Sequence, residues 1–91
     1  MKPITLDEVR RNLASNLRAA RKTRGLAQEK LALEAEVDRT VVSKIERSVT
    51  NPSLDVLLRL ANVLEIEISD LLRTRRTNDA EALCSNEEDS F

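Results

Sequence analysis

Between Gly25 and Arg47 the sequence GLAQEKLALEAEVDRTVVSKIER carries two short helical patterns with room for only a three- or four-residue turn between them. The second pattern opens on a polar cap, Asp38, and then divides into two faces. Arg39, Thr40, Ser43 and Lys44 fall on one side, Val42 and Ile45 on the other, as the 3.6-residue period dictates. A short helix pinned by Val42 and Ile45 has its inner face committed to a core and its outer face free for a partner.

The remaining chain supports a helical frame around this pair. Thr5-Leu6-Asp7-Glu8 is a capping-box pattern, and Val9, Leu13, Leu17 and Ala20 recur at helical spacing, which predicts a first helix to about Thr23. Gly25, the single glycine, closes it at a position that favours a left-handed residue. A second helix over Gln28–Ala35 buries Leu31 and Ala32, and Asp38 is expected to cap a third through its carboxylate. Ser48–Pro52 reads as loop. Ser53 caps a fourth helix with the stripe Leu54, Leu57, Leu58, Ala61 and Leu64, and Ser69 is expected to cap a short fifth. With 91 residues, one domain and one modest core are available, and the aliphatic composition, without Trp or Tyr, indicates an all-α bundle.

The same composition removes several function classes. No His and one Cys leave no ordinary zinc site, no His-based catalytic triad and no disulfide framework, so no metal, cofactor or enzymatic activity is expected. Cys84 has no nearby base to activate it. No apolar run approaches the roughly 18 residues of a membrane span, and the N-terminus lacks a signal-peptide core. A cytoplasmic protein is expected. The net charge of −1 conceals an asymmetry. Residues 1–76 hold all 15 Lys and Arg against 11 acids, a net of +4, while residues 77–91 hold the other five acids and no base. The expected organisation is a mildly basic domain over 1–76 and an acidic tail over 77–91. A helix with a basic outer face fits the DNA major groove, about 12 Å wide. A small bundle with ordinary solvated charges remains the alternative reading of the spacing alone.

Residues 10–72 resemble the Cro/XRE-type helix-turn-helix domains of bacterial and phage repressors. The resemblance rests on LRAARKTRGLAQEKLA, VDRTVVSKIER, NPSLDVLLRLANVLEI and SDLL, in order and at matching spacing. The DRT and IER segments within it resemble the controller proteins of restriction–modification systems. It implies a five-helix lambda-repressor-like bundle that reads double-stranded DNA with its third helix, as a homodimer on a pseudo-palindromic operator. Three positions depart from the pattern: Ala27 stands where Ser or Thr usually caps helix 2, and Glu36 and Glu65 stand where Gly is common.

The resemblance assigns roles by position. Arg39, Thr40 and Lys44 would read bases, Arg39 by forking onto guanine. Gln28 would bond the DNA backbone and brace the first residue of the third helix, and Ser43, Arg47 and Asn51 would meet phosphates. Val41 replaces a larger residue, leaving a smaller contact with a sugar edge or thymine methyl. Arg21 and Glu46 would form the ion pair that sets the angle of the recognition helix. Val63, Ile66, Ile68 and Leu72 exceed what helices 1 to 3 can cover and would supply the dimer seam. Arg73, Arg75 and Arg76 would meet DNA or solvate the end of helix 5. Two other functions fit the residues: an antitoxin with a protein partner on its C-terminal segment, and an interaction module without sequence-specific DNA binding.

Overall fold

The first helix, α1 (Leu6–Thr23), starts at the reciprocal cap that its sequence encodes. In the structure, a computed structural model that describes residues 3–74, the Thr5 hydroxyl accepts the Glu8 N–H at 3.2 Å. The Thr5 N–H donates back to the Glu8 carboxylate at 2.9 Å. Four more helices follow: α2 (Gln28–Ala35), α3 (Arg39–Glu46), α4 (Leu54–Leu64) and α5 (Ile68–Leu72). The described residues are all-helical, without strands. Residues 75–91, with Arg75, Arg76, Cys84 and the acidic tail, lie outside them.

Each helix contributes an aliphatic stripe to one core. Leu13 and Leu17 come from α1, Leu31, Ala32 and Ala35 from α2, and Val42 and Ile45 from α3. Leu57, Leu60, Ala61 and Leu64 come from α4, and Leu71 from α5. The second helix packs on α3 and α4, while the first packs on α3 and α5. Thus α3 is held from two sides by α1 and α2, and its remaining face is open. The buried stripe of α4 differs from the expected one. Leu60 is in the core, whereas Leu54 and Leu58 are 71% and 48% exposed. Five leucines are more than one stripe can seat, and contact with both α2 and α5 rotates the buried face toward Leu60.

Two expected caps are replaced. Asp38 occupies the cap position of α3, but its side chain bonds no helix N–H; its carbonyl accepts the Val41 N–H at 2.9 Å. For α5 the cap is Glu67 rather than Ser69, and the Glu67 N–H donates to Asp70 at 3.0 Å. A carboxylate three residues ahead can satisfy that amide, so the helix begins two residues earlier than a Ser69 cap allows. The departures at Ala27, Glu36 and Glu65 are as the sequence suggests. Ala27 caps α2 with no side-chain bond, and Glu36 and Glu65 have φ of 61° and 59°.

Four helices end by one device, a left-handed residue followed by an aliphatic one. Gly25 (φ 70°), Glu36, Ser48 (φ 62°) and Glu65 supply the turn. The following N–H of Leu26, Val37, Val49 and Ile66 returns to a carbonyl five residues back, at 3.0 to 3.1 Å. Leu26, Val37 and Ile66 then pack against the core. A non-glycine residue in this conformation stores about 1–2 kcal/mol. Glu36→Gly should therefore stabilise the domain by roughly 1 kcal/mol, raising the thermal midpoint by about 4–8 °C. Glu36→Ala, which keeps the Cβ, should not. Parallel thermal unfolding of the two variants checks this.

Candidate nucleic-acid interface

One side of α3 is committed to the interior. Val42, Ile45 and Glu46 are buried, at 0%, 1% and 4% exposure. Across the helix Arg39, Thr40 and Lys44 are exposed and Ser43 is half-buried, with exposed Arg47 extending the same face into the following turn. At 100° per residue these five positions occupy one arc, across the helix from Val42 and Ile45, with Glu46 at the edge nearest Arg39. Val41 lies at the margin, half-buried against the core. The three candidate base-reading side chains thus share a surface built on a helix whose back is fixed.

The fixing is polar as well as apolar. Glu46 is a carboxylate inside the domain, and its side chain is 3% exposed. The Arg21 guanidinium from α1 grips it with two bonds, Nε to Oε2 at 2.7 Å and Nη2 to Oε1 at 3.0 Å. A third Arg21 nitrogen donates to the Leu26 carbonyl at 2.8 Å. Gln28, at the start of α2, donates its amide to Glu46 Oε1 at 3.0 Å. One residue at the end of α3 therefore ties α1, α2 and α3 together. The expected brace from Gln28 to Arg39, at the opposite end of α3, is replaced by this bond, because a buried anion takes every donor within reach.

The flank of the arc is also prepared. Arg10 of α1 donates its Nε to Asn51 Oδ1 at 2.9 Å, and its Nη1 to Asp7 at 3.0 Å. A guanidinium only donates, so the Asn51 amide must turn its oxygen to Arg10 and leave its NH₂ for another acceptor. Asn51 is exposed beside Arg47 on the α3–α4 connection. The residues expected at a dimer seam divide. Val63, Ile66 and Ile68 are partly buried against this chain's own core, and Leu72 is exposed. Exposed Leu54 and Leu58 add an apolar strip on α4 that the sequence reading placed inside.

Three residues were not singled out from sequence. Arg18 reaches the Glu46 carbonyl at 2.7 Å, and Arg10 orients Asn51. Asn16, 7% exposed, donates to the carbonyls of Leu71 and Arg73, both at 2.8 Å, holding the end of α5 against α1. Its signal was present: Asn16 falls on the stripe of Leu13, Leu17 and Ala20, where a polar group must find partners. Arg18 and Arg21, three apart, share a helix face.

A family model described as helix-turn-helix, HTH_3, matches residues 17–71, from the middle of α1 to α5. The chain belongs to the HTH_3, Cro/XRE-type, helix-turn-helix family. The control protein C.SmaI of Serratia marcescens is 34% identical over 65 residues, covering 71% of this chain and 77% of C.SmaI. C.BamHI of Bacillus amyloliquefaciens, also a control protein, is 43% identical over 47 residues, 52% of this chain and 58% of that protein. The transcriptional regulator SlrR of Bacillus subtilis is 41% identical over 56 residues, 60% of this chain. The match spans 37% of SlrR. Among solved structures, the hypothetical transcription factor NHTF from Neisseria superimposes with a TM-score of 0.74 and 31% identity, covering 86% of this chain and 90% of NHTF. The restriction-modification controller protein C.AhdI of Aeromonas hydrophila gives a TM-score of 0.66 and 39% identity, covering 68% and 94%.

Removing one partner of a buried ion pair typically costs about 3–5 kcal/mol, because it leaves an uncompensated charge inside the domain. Arg21→Ala should lose about 3 kcal/mol in this HTH_3 domain, since Gln28 and Arg18 still attend Glu46. Arg21→Met with Glu46→Leu should recover much of that loss. Urea unfolding of the three proteins reads the difference; equal losses for the single and double variants would contradict a buried-charge origin.

Proposed function

We propose that the chain is a sequence-specific DNA-binding transcription regulator, acting in the cytoplasm as a homodimer on a pseudo-palindromic operator. The observation that carries the reading is the α3 arc: Arg39, Thr40 and Lys44 exposed together, on a helix whose reverse side is pinned by Val42, Ile45 and Glu46. Arg39, at the first turn, is suited to fork onto guanine O6 and N7, and Thr40 to place its methyl against thymine. Lys44 serves a base or a phosphate one turn on. Gln28, Ser43, Arg47 and Asn51 ring the arc as donors for the sugar-phosphate backbone, which set register without reading sequence. C.SmaI, C.BamHI and C.AhdI are control or controller proteins, which favours a controller-like role within this class. No helix among the described residues is long and apolar enough to cross a membrane.

A single recognition helix reads only a few base pairs, too few to single out a site in a genome, so two copies are required. The α4–α5 surface is the proposed seam, formed by the outer parts of Val63, Ile66 and Ile68 with exposed Leu72. A two-fold axis there would place the half-sites about one helical turn apart, roughly 34 Å. Of these residues Leu72 is the best probe, since Ile68 also packs against the core. Leu72→Asp should give a folded monomer with weakened, non-cooperative operator binding. Sedimentation showing a monomer for the unmutated chain at tens of micromolar would remove the dimer.

The DNA reading is tested by selecting bound sites from a random pool and then comparing variants on the selected site and on random DNA. Arg39→Ala should lose about 1–3 kcal/mol on the selected site and relax preference at one base per half-site. Arg47→Ala should weaken both DNAs about equally and flatten the salt slope by about one unit. Equal losses for Arg39→Ala on both DNAs would reassign Arg39 to a phosphate. A protein that enriches no site from the pool is not a sequence-specific regulator.

A further inference from the structure

The last turn of α3 shows where the aim of the proposed recognition helix is set. A helix leaves its final four carbonyls without intrahelical partners, and each must be satisfied elsewhere. In α3 three are taken by the following turn: Arg47 N–H returns to Ser43 at 3.0 Å, Val49 N–H to Lys44 at 3.1 Å, and Ser48 N–H to Ile45 at 3.0 Å. The fourth, Glu46, accepts from Arg18 Nη2 of α1 at 2.7 Å. Arg18 Nε also stands 3.7 Å from Glu46 Oε1. The two arginines of α1 therefore hold one residue by different handles. Arg21 grips the carboxylate from a nearly buried position, and Arg18, 45% exposed, grips the main-chain oxygen.

These handles do different work. The carboxylate of Glu46 hangs on a side chain with three rotatable bonds, so gripping it leaves the helix axis some freedom. A main-chain bond fixes the backbone itself, and it does so immediately before Arg47 and the left-handed Ser48. The guanidinium also places positive charge at the negative end of the α3 dipole. We propose that Arg18 is a positioning residue for DNA recognition: by capping the C-terminus of α3 from α1, it sets the pitch of the recognition helix and the place of the Arg47 turn. The inference rests on the DNA reading above, and it assigns Arg18 an action through Glu46 rather than through a base or phosphate.

Arg18→Ala and Arg18→Lys in the full chain test it, measured on the selected site and on random DNA across a salt series. Lysine keeps one donor for the Glu46 carbonyl; alanine keeps none. Arg18→Ala should lose at least about fivefold preference for the selected site over random DNA, the scale of one well-placed base contact, with the salt slope unchanged. Arg18→Lys should restore most of that preference. Without DNA, amide exchange at Ser48 and Val49 should quicken several-fold in Arg18→Ala and stay near the unmutated rate in Arg18→Lys. Equal losses on both DNAs with a slope flatter by about one unit would make Arg18 a phosphate contact and overturn the proposal. A lowered thermal midpoint with preference and exchange intact would reduce its role to stability and overturn it equally. If Arg18→Ala fails to fold, the comparison of Arg18→Lys with Arg18→Met, which has similar length and no donor, decides, and equal preference and exchange in the two would overturn it. Arg39→Ala separates the two levels. If it loses preference while Arg18→Ala does not, only this inference falls; if neither does, the base-reading assignment falls first.

Discussion

A single buried carboxylate organises the part of this domain that carries the exposed face of α3. Glu46 would be intolerable in the core alone, since an unpaired charge there carries a desolvation penalty of several kcal/mol. Its presence therefore dictates what must surround it: Arg21 with two bonds, Gln28 with one, and Arg18 close by. Because these donors come from α1 and α2 while the acceptor ends α3, satisfying one charge fixes three helices. Aliphatic packing alone allows small rotations at little expense. A directional hydrogen-bond set narrows them, most of all where Arg18 holds the Glu46 main-chain carbonyl.

The helix ends show a second economy. With only one glycine, the chain makes four left-handed turns, at Gly25, Glu36, Ser48 and Glu65. Three of them hold residues whose Cβ disfavours the conformation. What sustains them is the residue that follows: Leu26, Val37 and Ile66 enter the core, and their N–H groups close the preceding helix. Partial burial of an aliphatic side chain, a fraction of the roughly 1.5–3 kcal/mol of full burial, offsets strain in the turn before it. At Ser48 that compensation is missing, because Val49 is 59% exposed. This is the turn beside which the Glu46 carbonyl is held by Arg18, so a polar tie stands where the apolar one is absent.

The exposed features divide by rigidity. The α3 arc sits on a helix braced from behind by α1 and α2, and Asn51 is held by Arg10 through its side-chain oxygen. Such groups lose little freedom when they engage a partner, which is how a small surface reaches useful affinity. On α4 and α5 the apolar positions are graded instead. Ile66 and Ile68 lean into the core, while Leu54, Leu58 and Leu72 face out.

Much of this was legible in the residues. Period and caps located α1 to its last residue and α2 at both ends, and the two faces of α3 followed from Val42 and Ile45 alone. The Arg21–Glu46 pairing came from a resemblance, and the structure brings the two within 2.7 Å. Local signals reached the helix bounds and the faces of α3 because those depend on neighbours within a turn or two, whereas the pairing joins residues 25 apart. The rest depended on distant neighbours. Five leucines in α4 gave no reason to prefer Leu60 over Leu58 until α2 and α5 chose the face. Asp38 and Ser69 had the chemistry of caps, yet backbone closure and Asp70 took their places. Gln28 could have turned to either end of α3, and Arg18 could have been one more solvated arginine. Periodicity along the chain determined which helices form and which faces are apolar. Only the packing of those helices decided which polar groups are buried together, because a charge is constrained by whatever surrounds it in space, wherever in the sequence that lies.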